Sequence, residues 1–373
     1  MFNPRIIAFY LPQYHPTPDN DKWWGKGFTE WTNVGRAKPL FKGHYQPKVP
    51  ADLGYYDLRI PEVREEQAKL AKEAGIEGFC YYHYWFGHGK QELEMPFKQV
   101  VKTGKPDFPF CLCWANESWH SKFWDYTGKA YSKKLLIEQK YLGREDNIEH
   151  FYSLLPAFKD KRYITVDGKV LFMIYSPFEF KNVREFIEEW RCLAKQNGLG
   201  GIHFVANLKG YAQSMDREKI EEIMRMGFDA VNTVRLLSDS PSVYYRLRKR
   251  FLRFFLRKGT PRVEKYKNKF KSFIHEDDKL EYVYPSMIPN WDHSPRSGVN
   301  AYILTGSSPN LFQQHAAEVL NLVADKKNQI IFLKSWNEWG EGNYMEPDLK
   351  YGKGYINALK SAIKQVNKCH KET

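Results

Sequence analysis

Glu338 and Glu341 stand three residues apart in Trp336-Asn337-Glu338-Trp339-Gly340-Glu341, set between tryptophans and glycines. Two carboxyl groups in an enclosed site suit glycosyl chemistry, in which one protonates the leaving oxygen and the other serves as base or nucleophile. Their mutual repulsion pushes the two pKa values apart, which permits opposite roles at one pH. The same spacing is common on ordinary helix surfaces, so context decides its meaning. Glu117, Asp292 and Glu346 are weaker acidic candidates, the last followed by Pro347.

Aromatic and amide side chains accompany these acids. Tyr14, His15, Trp31, His83, Tyr84, Trp85, Trp114, Asn116, Tyr175, Asn207, Trp291, Trp336 and Asn337 complete the candidate binding set. Sugar rings offer C–H faces that pack on Trp or Tyr, and their hydroxyls need donors and acceptors in fixed directions. Carbohydrate is therefore the leading substrate class, supported by tryptophans at 23, 24 and 31 and again at 114, 119 and 124. Trp31, Trp114 and Trp291 are expected to line a glycan cleft. The competing reading is that such rings cap the core with their polar ends in water.

Other chemistries find no support. No phosphate-binding G-x-x-x-x-G-K-[ST] loop and no H-E-x-x-H occurs, and the histidines form no metal-ligand series, so neither cofactor nor metal is expected. Five cysteines, Cys80, Cys111, Cys113, Cys192 and Cys369, are too scattered for a disulfide framework. Cys111 and Cys113 alternate on a strand and should face one side as packing groups. Asn116-Glu117-Ser118 matches a glycosylation sequon, which a chain without a secretion signal has no reason to use.

These residues need a scaffold that brings distant segments together. Strand-like runs occur at 5–10, 77–84, 109–115, 170–175, 202–206, 228–232, 282–287 and 330–336. Helical spacing fills 61–74, 147–158, 182–196, 217–226, 311–324 and 356–366. Eight strands alternating with helices are the inventory of an α/β fold, the (β/α)8 TIM barrel. The long connections at 11–60 and 233–280 follow strands one and six, on the face where such barrels build active sites. The candidate residues cluster where strands finish. No linker or repeat divides the chain, so residues 1–373 are read as one catalytic domain.

The composition agrees: 373 residues with 42% hydrophobic and 16% aromatic content describe a folded chain. No apolar run approaches the roughly 18 residues that span a bilayer, and the N-terminus lacks a signal-peptide pattern, so a cytoplasmic location is expected. The formal net charge is +13, but residues 246–271 hold twelve Lys or Arg against Glu264 and carry +11 of it. Within this basic insertion, at about 241–271, Leu247, Phe251, Phe254 and Phe255 fall near one helical face, with Arg248, Lys249, Arg253 and Arg257 around the rest. That pattern suits a helix lying on an anionic membrane at the inner face of the cell membrane. A solvated charged face is the bland alternative, and nucleic acid is not expected without a fold that binds it.

Five motifs also resemble a known family. Phe9-Tyr10-Leu11-Pro12-Gln13-Tyr14-His15, Gly27-Phe28-Thr29-Glu30-Trp31, Tyr81-Tyr82-His83-Tyr84-Trp85-Phe86, Trp114-Ala115-Asn116-Glu117-Ser118-Trp119 and Trp336-Asn337-Glu338-Trp339-Gly340-Glu341-Gly342 look like the WbsX-like family, over about residues 4–365. That family is similar to glycoside hydrolase family 99, the endo-α-mannosidases and endo-α-mannanases. The resemblance implies a (β/α)8 barrel and a retaining site acting on α-linked, mannoside-like glycan of bacterial surface polysaccharide, lipid-linked or free. In the hydrolases the first Glu of E-W-x-E takes the proton of the sugar 2-hydroxyl, giving a 1,2-anhydro intermediate, and the second is acid and then base. Carried over, these are Glu338 and Glu341, with Gly340 where the hydrolases typically have His. WbsX-like proteins are often named glycosyltransferases of O-antigen or capsular polysaccharide assembly. Glycosyl transfer, and binding without catalysis, therefore stay open beside hydrolysis.

Overall fold

The computed structural model describes residues 2–121, 134–210, 216–237, 243–255 and 259–372. Trp124, Arg257 and Lys258 lie outside them.

Eight parallel strands close on themselves: β1 (Arg5–Tyr10), β2 (Gly78–Trp85), β3 (Phe110–Trp114), β4 (Lys169–Ile174), β5 (Ile202–Lys209), β6 (Ala230–Val234), β7 (Val283–Met287) and β8 (Ile330–Leu333). Closure is visible at Ala8, which pairs with Leu333 of β8 on one side and Phe79 of β2 on the other. This is the expected (β/α)8 barrel. Every expected strand is present, with its ends moved by three residues or fewer. β5 runs on to Lys209 because β6 offers it a partner as far as Val234. The strands read as nearly unbroken apolar runs, such as Val170 to Ile174, because side chains and helices cover both faces.

Among the described residues the α-helices of seven residues or more are α1 (Pro18–Trp24), α2 (Glu30–Arg36), α3 (Pro61–Ala74), α4 (Met95–Thr103), α5 (Arg144–Phe158), α6 (Val183–Gln196), α7 (Asp216–Arg225), α8 (Val243–Phe255), α9 (Pro309–Val323) and α10 (Gly354–Glu372). α3 shows why the longer ones were legible. Proline fits its first turn, Leu70, Ala71 and Ala74 share a buried face, and Gly75 ends it at φ 90°. α1 and α2, seven residues each inside the connection after β1, were not anticipated. Their buried positions include Asn20, Glu30 and Asn33, so no apolar stripe announces them.

Three asparagines tie the strand-end loops to one another. Asn337 accepts the Leu11 N–H at 2.8 Å and donates to the Leu11 carbonyl at 3.0 Å. Asn116 does the same to Ser176, at 2.8 and 2.9 Å, and Asn290 to Tyr344, at 3.0 and 3.3 Å. A side-chain amide matches a peptide group donor for acceptor, so each satisfies backbone outside the eight barrel strands. The loops that frame the site are held by these bonds.

Candidate active site

The turn after β8 carries the acid pair. Glu338 and Glu341 line a cleft at the C-terminal end of the barrel together with Tyr82, Tyr84, Glu117 and Tyr175. Arg296, from the loop after β7, places Nη1 2.8 Å from Glu341 Oε1 and 3.5 Å from Glu338 Oε1. Lys334, just past β8, puts Nζ 3.5 Å from Glu338 Oε2 and 3.6 Å from Glu341 Oε2. The two carboxylates thus share both cations, in surroundings that leave none of the four side chains more than 13% exposed.

Arg296 is itself anchored. Glu30 of α2, fully buried, accepts from Nη2 at 2.9 Å and from Nε at 3.1 Å. That fork fixes the guanidinium plane and directs Nη1 at the pair. Gly340 makes room for it: a Cβ there would lie 1.9 Å from Glu30 Oε1 and 3.0 Å from Arg296 Nε. In this chain the space beside position 340 belongs to an ion pair.

The electrostatics follow from these neighbours. Burial and the adjacent Glu341 raise the Glu338 carboxyl above its ordinary range, against the pull of Lys334 and Arg296. Burial works against the Lys334 ammonium, but Glu338 and Glu341 together outweigh it and lift its pKa. Burial and Arg296 push His293 down to about 3, leaving a neutral ring with Nε2 3.6 Å from Glu341. Across the cleft, Glu117 accepts from Lys209 Nζ and Ser176 Oγ, both at 2.8 Å. The same ammonium sits 3.5 Å above the Tyr175 ring.

Of the expected binding residues, Tyr84, Glu117 and Tyr175 line this cleft, and Asn207 and Trp291 line a pocket adjoining it. Others are placed differently. On β2 the side chains alternate, so Tyr82 and Tyr84 look into the barrel and His83 and Trp85 face outward. His83 Nε2 lies 2.8 Å from His150 Nε2 of α5, and Trp85 stacks on His150 with Nε1 donating to Asp146. Trp114 leaves β3 on the same outer side, against His150 and Phe186. These three pack the helix layer instead of a sugar.

The clamp beneath the pair takes most of the rest. Tyr14 donates to the Asn337 carbonyl and accepts the Trp339 N–H, while Trp31 packs on Tyr14 and Trp339. His15 is buried against the Pro12 carbonyl, and Trp336 is buried against Phe79. Asn116 and Asn337 are loop ties. Glu346 accepts from Tyr56, Gln67 and Trp339, and burial lifts its carboxyl to about 7. Asp292 turns away to His44, Gln46 and the Ser294 N–H; although burial opposes it, Lys48 and His44 hold its carboxyl down at about 2.

Sequence reasoning missed Glu30, Tyr82, Lys209, His293, Arg296 and Lys334 as site residues. Signals existed for some. Lys334 interrupts an apolar strand end four residues before Glu338, and Arg296 closes the Pro289-Asn290-Trp291-Asp292 segment. Nothing in the spacing pairs Glu30 with Arg296, which lie 266 residues apart. Among the described residues, no group of three or more His, Cys, Asp or Glu is arranged to hold a metal ion.

The closed barrel places the molecule among the (β/α)8 proteins. It superposes on a structure titled glycoside hydrolase-like protein over 97% of this chain and 95% of that one, with a TM-score of 0.61 and 13% identity. It superposes on the glycoside hydrolase family 99 endo-α-mannosidase of Bacteroides thetaiotaomicron over 100% of both chains, with a TM-score of 0.57 and 16% identity. These likenesses concern the fold. Residues 6–359 match the family described as Glycosyltransferase WbsX, and the chain belongs to that family. It is 36% identical over 362 residues to the uncharacterized protein WxcX of Xanthomonas campestris pv. campestris, covering 96% of this chain and 49% of that one. The chain thus spans about half the length of the curated relatives it matches.

Proposed function

We propose that this protein is a carbohydrate-active enzyme that cleaves or transfers at an α-linked, mannoside-like glycan of bacterial surface polysaccharide, with retention. The observation that carries the reading is the pair of buried Glu338 and half-buried Glu341, sharing Arg296 and Lys334 on one cleft. Glu338 takes the proton of the sugar 2-hydroxyl as its oxygen attacks C1, and Glu341 gives a proton to the departing oxygen. Water or an acceptor hydroxyl, losing its proton to Glu341, then opens the 1,2-anhydro sugar at C1 while Glu338 returns the first proton to O2. Burial and the neighbouring Glu341 raise the Glu338 carboxyl, and a sugar 2-hydroxyl donated to it favours the ionised form that serves as base.

Glu338→Gln and Glu341→Gln should each lower turnover by about 10² to 10⁴, with unchanged melting temperature and retained glycan binding. Near-normal turnover in both would remove the assignment. Glycosyl transfer from an activated donor is the second reading, because Arg296, Lys334 and Lys209 on the cleft suit a diphosphate leaving group that needs cations more than a proton. Product analysis on α-linked oligosaccharides and on nucleotide sugars separates the two.

α8 supports a location for this activity. Val243, Leu247 and Phe251, at successive four-residue steps, are 61%, 61% and 55% exposed, with Arg246 and Arg250 exposed beside them. Such a face fits an anionic membrane surface, where each basic residue contributes about 1 kcal/mol, and would hold the cleft near lipid-linked glycan. Among the described residues, no helix is long and apolar enough to cross a membrane. Vesicles with anionic lipid should co-sediment the protein in a salt-sensitive way, and Leu247→Ser with Arg246→Gln and Arg250→Gln should abolish it. Equal binding to zwitterionic vesicles, or none to either, removes this part of the proposal.

A further inference from the structure

The proposed reaction needs a single proton on the pair Glu338 and Glu341, because one acid accepts from the 2-hydroxyl while the other donates to the leaving oxygen. Two cations press against that requirement. Arg296 and Lys334 each lie within 3.6 Å of both carboxyls, and two cations facing two carboxylates balance with no proton held at all.

A third carboxyl changes the balance. Glu30 of α2 is fully buried, and besides the fork from Arg296 it accepts from Asn33 Nδ2 at 3.2 Å. Both of its oxygens therefore act as acceptors, the part a carboxylate plays. Three carboxyls share two cations in one enclosed cluster, whose charges balance when one proton is present.

The charged groups around the cluster are matched among themselves. Glu117 pairs with Lys209 at 2.8 Å, and Asp292 faces His44 and Lys48 at 2.8 and 3.9 Å. Arg36, partly exposed on α2, donates to Asn33 Oδ1 at 2.6 Å. His293 is neutral, and burial holds the hydroxyls of Tyr14, Tyr82, Tyr84 and Tyr175 above their ordinary range.

Two further observations agree with a proton on the pair. Glu341 Oε2 is buried with no hydrogen-bond donor in reach, and a proton shared with Glu338 would supply one. Burial first, and then Glu341 through its charge and a hydrogen bond between the two carboxyls, raise the Glu338 carboxyl against Lys334 and Arg296.

We propose that Glu30 is a positioning residue whose charge, acting through Arg296, keeps one proton on the catalytic pair, so that Glu341 can donate while Glu338 accepts. This role rests on the glycan reading above. Gly340 is part of it, since a side chain there would collide with Glu30 where it holds Arg296.

The test is carbon-13 NMR of the chain labelled at glutamate Cδ, titrated with acid and base alone, with Glu338→Gln and Glu341→Gln identifying the two resonances. The wild-type pair should titrate in two steps, the upper one above the ordinary carboxylate range. Glu30→Gln should lower the upper step by about one pH unit or more, and Lys334→Met should raise it by about as much. Glu30→Asp keeps the charge and should stay near wild type. A site that merely loosens and admits water would instead move every variant toward the ordinary range. An upper step unmoved in Glu30→Gln, a fall in Lys334→Met, or equal falls in Glu30→Gln and Glu30→Asp overturns the proposal. If Glu30→Gln does not fold, the substitution is made together with Lys334→Met; the raised step should then return toward wild type, and no return overturns the proposal. On an α-linked oligosaccharide that the wild type turns over, the alkaline limb of turnover should move with the upper step. If the steps move as expected while Glu338→Gln and Glu341→Gln both stay active, the catalytic reading falls and the charge balance stands. If those two variants are inactive and the steps do not move, only the role of Glu30 falls.

Discussion

The stretch from Trp336 to Glu346 builds two carboxylate environments back to back, and they differ in what faces the acid. On the cleft side, Glu338 and Glu341 meet the Arg296 guanidinium and the Lys334 ammonium. On the clamp side, Glu346 meets only neutral donors, the Tyr56 hydroxyl at 2.9 Å and the Gln67 amide and Trp339 indole at 2.6 Å each. Burial with no cation lifts Glu346 to about 7. Glu338 rises as well, but a like charge shares the cause with burial and two cations oppose it. Residue type does not assign a buried acid its work. The charge of the groups across from it does.

The strongest way to break this contrast is to take the cation from the cleft. Arg296→Ala leaves Glu30 buried, and Glu341 half-buried, without their shared partner and should cost about 3–5 kcal/mol in urea unfolding. Replacing the pair together, Glu30→Gln with Arg296→Met, should recover much of the loss. A cost below about 1 kcal/mol for Arg296→Ala would show that the cleft acids do not depend on it.

Glu346 gives the next effect, read through pH. Its folded-state pKa of about 7 lies above the ordinary 4.5, so the folded chain holds a proton that the unfolded chain releases. Its contribution is full below pH 4.5 and is lost as pH rises through 7, by roughly 3 kcal/mol. Glu346→Gln stays neutral and should flatten the unfolding midpoint between pH 5 and 8. Parallel pH curves for wild type and variant would mean that Glu346 is ionised in the fold. Asp292 supplies the opposite sign: held at about 2, it adds stability above the ordinary 3.8 that is lost only as pH falls toward 2.

The smallest change sharpens the comparison at one atom. Gly340→Ala places a methyl against Glu30 Oε1 and should cost about 1–3 kcal/mol. The same substitution in a Glu30→Ala background should cost far less, because the blocking oxygen is gone. Equal penalties in both backgrounds would put the strain elsewhere.

The barrel was legible in the chain because buried parallel strands are apolar on both faces and the helices between them repeat at their own period. Val170 to Ile174 and Pro61 to Ala74 need no distant contact to declare themselves. The place of the acid pair at a strand end was legible for the same reason. Polar and aromatic residues at strand ends divide between the cleft and the scaffold, and their type alone does not say which. Loop backbone also has to be satisfied, and Asn116, Asn290 and Asn337 do that, while a one-residue alternation on β2 sends Tyr82 and Tyr84 inward and His83 and Trp85 outward.

What local pattern carries is the identity of each element and the face each residue occupies, since both follow from periods of a few residues. Which charges meet is a different kind of fact. Arg296 finds Glu30 across 266 residues, and a side chain at Gly340 would collide with that pair. No spacing rule reaches so far, because the closing of the barrel sets those distances, and with them the charges that face the two glutamates the sequence had already singled out.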